Sequence, residues 1–157
     1  EGDHLLVYFS NGRHHYTDRV DATLKALDVP VIVYGVGREG AEENLEFRPP
    51  SNTRFVVDVA SARAVFATAG NQLISEAIHF RKPLMLLPED ALEQRLNAAA
   101  IEKIGIGMQT RRHAVTAAQL REFLDRRDEF AANMPTQSDG RAEAVEAIEQ
   151  FAAELLS

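Results

Sequence analysis

Short, continuous runs of apolar residues constrain the fold of this chain most, because each suits a β-strand and is too short for a buried helix. The four clearest runs are His4–Ser10 (HLLVYFS), Pro30–Tyr34 (PVIVY), Ala64–Thr68 (AVFAT) and Pro83–Leu87 (PLMLL). Their apolar residues do not alternate with polar ones, which indicates strands buried on both faces. Weaker strand patterns occur at Asn44–Phe47, closed by two prolines, and at Ile106–Gln109.

Segments with helical spacing separate these runs. The first, Thr17–Leu27, places Val20, Leu24 and Leu27 at i, i+4 and i+7, with Thr17 as the N-terminal cap. The same reasoning predicts five further helices, at Ser51–Ala62, Gly70–Phe80, Leu92–Lys103, Ala117–Phe130 and Ala142–Leu155.

The Ser51–Ala62 helix is predicted to direct Phe55, Val56 and Val59 inward. Strands thus alternate with helices along the whole chain, which is typical of an α/β fold with a doubly wound parallel sheet. Residues 1–157 are predicted to form a single domain of this kind.

Composition excludes several classes of function. The formal net charge is −7, and an acidic surface repels phosphate backbones, so nucleic acid is not an expected partner. Cysteine is absent, which excludes disulfides and thiolate metal sites and suits a reducing, cytoplasmic location. No apolar run approaches the roughly 18–20 residues of a membrane helix. The five histidines lack metal-ligand spacing, and the adjacent pair His14-His15 is predicted to lie at the surface.

A literal G-x-G-x-x-G follows the second predicted strand, at Gly35, Gly37 and Gly40. In dinucleotide-binding folds this motif opens a helix that presents its N-terminus to the pyrophosphate. Here only about ten residues separate Gly40 from Pro49, and they include a predicted strand. The motif is therefore interpreted as a flexible loop.

Ligands of doubly wound sheets bind at the carboxyl ends of the strands, so the turn at Ala69, Gly70 and Asn71 is a candidate site. Small residues there let the backbone approach a phosphate, and the free N–H groups of the following helix point at it. The alternative is a tight turn without a ligand. Glu76, one and a half turns along that helix, is either an acceptor for vicinal hydroxyls or a solvated surface glutamate.

Carboxylates and amides also cluster after the run that ends at Leu87. They suit a hydroxyl-rich ligand such as a sugar, while a metal ion and simple helix capping are the alternatives. The cluster comprises Glu89, Asp90, Glu93, Gln94 and Asn97.

Taken together, residues 67–107 (ATAGNQLISEAIHFRKPLMLLPEDALEQRLNAAAIEKIGIG) resemble the donor-binding segment of GT-B-fold glycosyltransferases. That class includes the UDP-glycosyltransferases and the family 28 enzymes that make the peptidoglycan lipid precursor. The chain has the length and element order of their C-terminal domain, one half of the GT-B fold. The matching positions are Gly70, Glu76, Pro83, Pro88, Glu93-Gln94, Asn97-Ala98 and Gly105-x-Gly107.

The resemblance implies a nucleotide-sugar donor, expected to be a UDP-sugar, bound without a metal or another cofactor. It implies that Ala69, Gly70 and Asn71 hold the diphosphate and that Glu76 accepts hydrogen bonds from the ribose. It also implies sugar contacts from Glu93 and Gln94, with the base near Arg48–Phe55. The remaining donor-binding residues expected from the resemblance are Ser10, Asn11, Gly12 and Thr68, beside Glu93, Gln94 and Asn97.

The sequence departs from the family pattern at three positions. Thr68 stands where many relatives have a histidine, Leu73 where many have a serine or threonine, and Arg81 where a glycine is usual. One hydroxyl contact to phosphate is therefore expected to be missing, which leaves more of the binding to backbone N–H groups.

The resemblance also implies a partner, since an N-terminal domain that carries the acceptor pocket and the catalytic base is not part of this sequence. The isolated chain is accordingly predicted to be inactive as a hexosyltransferase. Any peripheral membrane contact, at the inner face of the membrane, is expected only through that domain. The general expectation from the resemblance is a cell-envelope or secondary-metabolite glycoconjugate. The alternatives are a degenerate binding module without catalysis and half of a sugar-nucleotide epimerase.

Overall fold

The computed structural model describes residues 2–10, 12–111, 114–136 and 140–156. One seven-stranded sheet has the order β3-β4-β2-β1-β5-β6-β7, and every strand pair is parallel except β3 with β4. This confirms the predicted α/β class with a mostly parallel sheet. The strands are Leu5–Tyr8 (β1), Val31–Tyr34 (β2), Gly40–Glu42 (β3), Leu45–Arg48 (β4), Ala64–Ala67 (β5), Leu84–Leu86 (β6) and Gly107–Gln109 (β7).

Helices cover both faces of the sheet. Side-chain caps begin three of them, because Thr17, Ser51 and Thr116 accept hydrogen bonds from backbone N–H groups in the first turn. The helices are Gly12–His15 (α1), Asp18–Lys25 (α2), Asn52–Ser61 (α3), Asn71–His79 (α4), Leu92–Ile104 (α5), Ala117–Asp125 (α6), Arg127–Ala132 (α7) and Gly140–Leu156 (α8). None of the helices in the described ranges is long and apolar enough to cross a membrane.

The core lies on both faces of the sheet, as the continuous apolar runs predicted. Leu5 and Val7 of β1 pack with Val20 of α2 and Phe123 of α6, whereas Leu6 belongs to the cluster on the opposite face. Neighbouring residues of one strand therefore enter different cores, so the strand carries no polar face.

Close packing at the edge of the sheet requires glycine at one position of β7. A Cβ atom added to Gly107 would lie 2.0 Å from the carbonyl oxygen of Leu84 and 2.9 Å from the side chain of Ile101. Gly105, which ends α5, has a φ of 81° and so adopts the left-handed conformation that favours glycine.

Three expectations differ from the structure. The segment after Gly35 does not stay a loop but enters β3, an antiparallel strand with every residue exposed. Ala117–Phe130 is two helices that meet at Arg126. Val56 is 39% exposed, because it falls outside the face of α3 on which Val59 is buried.

Candidate functional site

A cavity of about 650 Å³ opens at the carboxyl ends of β1, β2 and β5. The N-terminal ends of α3 and α4 both border it, through Ser51 and Asn52 on one side and Gly70 to Leu73 on the other. This is where ligands of doubly wound sheets bind, and it brings together Ser10, Thr68, Gly70, Asn71 and Glu76 from the predicted set.

The N-terminus of α4 has no side-chain cap. Gly70 is its N-cap residue and has no side chain, and the first intrahelical hydrogen bond runs from Ile74 N to Gly70 O at 3.2 Å. The N–H groups of Asn71, Gln72 and Leu73 are therefore left without helical partners. A Cβ atom added to Gly70 would meet nothing within 4 Å, so open space lies in front of this helix end.

Glu76 lies on the same helix and lines the cavity. Its Oε1 accepts a hydrogen bond from Gln72 Nε2 at 3.1 Å. Its Oε2 is buried and has no hydrogen-bond partner among the described residues. A buried carboxylate oxygen without a donor is unfavourable by itself, which makes this atom a candidate acceptor for a ligand.

Three aromatic rings line the cavity on the α3 side. The ring of Phe55 lies 5.4 Å from that of Tyr8 and 5.1 Å from that of Tyr34, which it meets edge-on at 89°. These rings offer an apolar surface to a ligand, next to the polar groups of Ser51 and Asn52.

Tyr34 and Arg48 are held by Asp58 behind these rings. The Tyr34 hydroxyl donates to Asp58 Oδ2 at 2.5 Å, and Arg48 donates to the same oxygen. Burial, together with the hydrogen bond to Asp58, raises the pKa of Tyr34 to about 12. Burial also raises the pKa of Asp58, but the hydrogen bonds from Arg48 and Tyr34 outweigh it and hold that pKa below its ordinary value. Of the two residues that bound the segment predicted to lie near the base, Arg48 is thus engaged in ion pairs, while Phe55 faces the cavity.

A polar network joins the ends of β1, β5 and β6. The Ser10 hydroxyl lies 3.3 Å from Thr68 Oγ1 and donates to Glu89 Oε1 at 3.3 Å. His15 Nε2 is 2.9 Å from the same Glu89 oxygen. His15 is 9% exposed, so its predicted surface position is wrong, because the turn of α1 folds it back against Glu89. Nothing in the sequence spacing of His15 and Glu89 indicated this contact.

Gln94 uses both ends of its amide within the protein. Its Oε1 accepts hydrogen bonds from Ala69 N at 3.2 Å and Glu89 N at 2.9 Å, and its Nε2 donates to Glu89 Oε2 at 3.0 Å. Gln94 thereby ties the loop before α5 to the turn before α4.

Glu93 and Asn97 hold the first residue of α4. Asn71 Nδ2 donates to Glu93 Oε1 at 2.8 Å, and Asn97 Nδ2 donates to Asn71 Oδ1 at 2.8 Å and to Ala69 O at 3.0 Å. The predicted donor-binding residues of α5 therefore support the α4 turn from the side.

Of the other predicted site residues, Gly12 begins α1, and Asn11 lies outside the described residues. No group of three or more histidine, aspartate or glutamate side chains suited to hold a metal ion occurs in the part of the chain that the structure describes. Tyr8, Tyr34, Gly35 and Gln72 also line the cavity. These four were not predicted as site residues: Gly35 belongs to the glycine motif interpreted as a loop, and the other three had no signal beyond their position at strand and helix ends.

Comparison with known proteins agrees with this fold. A sequence model of the family described as Glycosyl transferase family 1 matches residues 1–127. No curated protein matches the chain.

Solved structures share the fold at low sequence identity. MurG of Acinetobacter baumannii is 19% identical with a TM-score of 0.71, over 96% of this chain and 50% of that protein. UGT2 of Phytolacca americana, solved with UDP-2-fluoro-glucose and pterostilbene, is 16% identical with a TM-score of 0.71, over 98% and 41%. The glycosyltransferase VinC, solved with dTDP, is 17% identical with a TM-score of 0.66, over 94% and 42%. The chain thus spans half or less of the length of these proteins and has the architecture of one half of a GT-B structure.

Proposed function

Because this chain belongs to glycosyl transferase family 1, we propose that its cavity binds the nucleoside diphosphate part of a nucleotide sugar. The observation that carries the proposal is the pairing of an uncapped helix N-terminus at Gly70 with the unpartnered carboxylate oxygen of Glu76 in one cavity. The first suits a diphosphate and the second suits a diol.

The diphosphate is assigned to the N-terminus of α4. The free N–H groups of Asn71, Gln72 and Leu73 and the helix dipole attract anions. Thr68 and Ser10 add hydroxyl groups at the facing strand ends, and the Gly70 position leaves room for close approach. Leu73 is 5% exposed and has no hydroxyl group. Backbone N–H groups therefore supply the phosphate contact that a serine hydroxyl would otherwise make.

The ribose is assigned to Glu76. Its Oε2 can accept hydrogen bonds from vicinal hydroxyls without breaking the existing contact of Oε1 with Gln72. The base then extends toward Phe55, Ser51 and Asn52, where an aromatic ring and polar groups lie together. UGT2 was solved with a UDP-sugar and VinC with dTDP, which favours a pyrimidine nucleotide, and we assign UDP.

The transferred sugar is assigned to the segment Glu89–Asn97. A sugar contact from Gln94 remains a prediction: its amide makes three internal hydrogen bonds, and the second N–H of Nε2 is left to donate to a sugar hydroxyl. During transfer, negative charge develops on the departing diphosphate, and the α4 N-terminus would stabilise it without a metal ion. The catalytic base and the acceptor pocket are assigned to an N-terminal domain of a longer protein, so the chain alone is expected not to transfer sugar.

The test is a calorimetric titration of this chain with UDP, UDP-GlcNAc, UDP-glucose, GDP and dTDP. It is repeated on Glu76→Gln, which keeps the side-chain shape, and on Glu122→Gln, the same change on the exposed part of α6. We expect saturable binding of UDP compounds, weakened about tenfold or more in Glu76→Gln and unchanged in Glu122→Gln. Equal binding by the two variants would show that Glu76 does not contact the ribose. The absence of binding of all five nucleotides would contradict the donor site.

A binding module without catalysis is the second candidate. It is favoured by the replacement of two polar family positions by Thr68, which is buried and bonded to Ser10, and by Leu73, which packs in the core. Both candidates predict nucleotide binding by the chain. Only the transferase predicts that the parent protein turns over a UDP-sugar with an acceptor.

A further inference from the structure

A second, smaller cavity lies at the opposite end of the strands from the nucleotide cavity. It has a volume of about 200 Å³ and opens where β1, β5 and β6 begin, next to α7. Its lining contains two carboxylates, Asp3 and Asp128, against four cationic side chains: Arg63, Arg81, Lys82 and Arg127. This local excess of positive charge stands in a chain whose net charge is −7.

Lys82 is the least exposed of these cations. Only 6% of its surface is accessible, and no hydrogen bond or ion pair of its ammonium group occurs among the described residues. The aliphatic stem is buried, whereas the ammonium group still reaches solvent at the cavity and has no partner among the described residues. An anion in the cavity would supply that partner.

Arg63 adds a second unsatisfied donor. Its Nε is buried without a hydrogen-bond partner, and its Nη2 lies 3.6 Å from Asp3, whose side chain is 89% exposed. A solvated carboxylate at that distance is a weak partner. Both Arg63 and Lys82 therefore reach the cavity with donors that the protein does not use.

Arg81 is held at the cavity by its backbone and side chain. Its φ of 56° is a left-handed conformation that is unfavourable for a residue with a Cβ atom. Its guanidinium donates to Ala131 O at 3.0 Å and Pro135 O at 3.4 Å, which fixes α7 against the start of β6. Arg127, on α7, donates to Leu124 O at 3.2 Å and completes the cationic wall.

We propose that this cavity is a binding site for a compact phosphoryl oxyanion, held by Lys82 and Arg63 and enclosed by Arg81 and Arg127. The volume admits a phosphate group and is smaller than the roughly 300 Å³ or more of typical cavities for larger ligands. Guanidinium and ammonium groups form their strongest hydrogen bonds with such oxyanions. The site is separated from the nucleotide cavity by the full length of the strands, so it does not depend on the proposed donor function.

The experiment titrates the chain with inorganic phosphate in chloride buffer of constant ionic strength, followed by calorimetry and by the melting temperature. Glycerol 3-phosphate forms a second arm, which distinguishes free phosphate from a phosphomonoester at the end of a larger molecule. The variants are Lys82→Met and, as a control, Lys103→Met on the exposed side of α5. Arg63→Gln is a second test variant, in case Lys82→Met fails to fold.

We expect binding of at least one of the two probes, with the affinity reduced about tenfold or more in Lys82→Met and in Arg63→Gln. Lys103→Met should bind like the parent chain. Failure of both probes to bind would overturn the proposal. Binding by Lys82→Met and Arg63→Gln equal to that of the parent chain would also overturn it, by locating the anion outside this cavity.

Discussion

The side chain of Gln94 holds the backbone of Ala69: its Oε1 accepts a hydrogen bond from Ala69 N at 3.2 Å, across the space between α5 and α4. The same oxygen accepts from Glu89 N, and the amide nitrogen returns a hydrogen bond to Glu89 Oε2. Because Glu89 also contacts Ser10 and His15, one amide connects the carboxyl ends of β1, β5 and β6.

The first prediction concerns Gln94→Glu. The change keeps the acceptor for both N–H groups but replaces the donor to Glu89 by a second carboxylate oxygen. We expect the free energy of unfolding to fall by about 1–3 kcal/mol near neutral pH, with a smaller loss in acid, where the two carboxylates share a proton. Urea unfolding measures this, with Gln150→Glu as control, since Gln150 also donates to a glutamate but on the exposed α8. Equal stability of the two variants would contradict the role of Gln94.

Gly70→Ala tests how closely the diphosphate approaches α4. Gly70 has φ −76° and ψ 139°, which alanine also adopts, and a Cβ atom there meets nothing within 4 Å. Lower flexibility of the unfolded chain and a poorer cap oppose each other, so stability should stay within about 1 kcal/mol of the parent. The affinity for UDP should nevertheless fall about tenfold or more, because the methyl group occupies the space in front of the helix N-terminus. If calorimetry finds unchanged affinity in a normally folded variant, the diphosphate lies elsewhere.

His4 and Asp58 predict that stability declines in acid in two stages. Burial lowers the pKa of His4 below 6.5, despite the hydrogen bond with the backbone of Asp58. The unfolded chain therefore binds a proton at His4 that the folded chain resists, and stability is lost as the pH falls below about 6.5. The pKa of Asp58 is also lowered, so its contribution is present above pH 3.8 and is lost as the pH falls below that value.

The measurement for this prediction is the free energy of unfolding as a function of pH. His4→Asn, which retains a polar side chain but does not titrate, should flatten the curve between about pH 7 and pH 5 and leave the steeper acid limb. An unchanged slope in that interval would assign the effect to another group.

Gly107→Ala tests the packing of β7 on β6. The added Cβ atom would lie 2.0 Å from the Leu84 carbonyl oxygen, and a rotamer change cannot relieve this contact because the oxygen belongs to the backbone. We expect a loss of about 3 kcal/mol or more in the free energy of unfolding. Gly37→Ala is the comparison, since Gly37 has a φ of 70° but open space around its Cβ position, and only the left-handed strain of about 1–2 kcal/mol applies. A loss at Gly107 no larger than that at Gly37 would contradict a decisive close approach of β7 to β6, because Gly107 has no positive φ.

The central strands were predictable because a strand buried on both faces needs apolar residues throughout, as Leu5, Leu6 and Val7 show. The strand β3 was not, because Gly40, Ala41 and Glu42 are all exposed and become a strand only through pairing with β4. The break at Arg126 was also missed, since apolar spacing continues through it to Phe130.

Within the nucleotide cavity, the turn at Gly70 and the glutamate at position 76 could be found from their place at a strand end. The direction in which a side chain points could not be found in this way. His15 points to Glu89, which lies 74 positions away and becomes a neighbour only after the sheet has formed. Gln94 is only five positions from Glu89, but its hydrogen bond to Ala69 N spans 25 positions and depends on the packing of α5 beside the α4 turn. The cationic cavity was overlooked for a related reason, because its lysine and arginines precede strands and the search for sites follows their carboxyl ends.

The two border strands of the sheet have a consequence for the protein at high concentration. β3 and β7 have three residues each, and Lys25 pairs with Glu42 and Glu43 beside β3. A short, charged border offers a neighbouring molecule few unpaired N–H and C=O groups, which disfavours intermolecular strand addition and growth into fibrils.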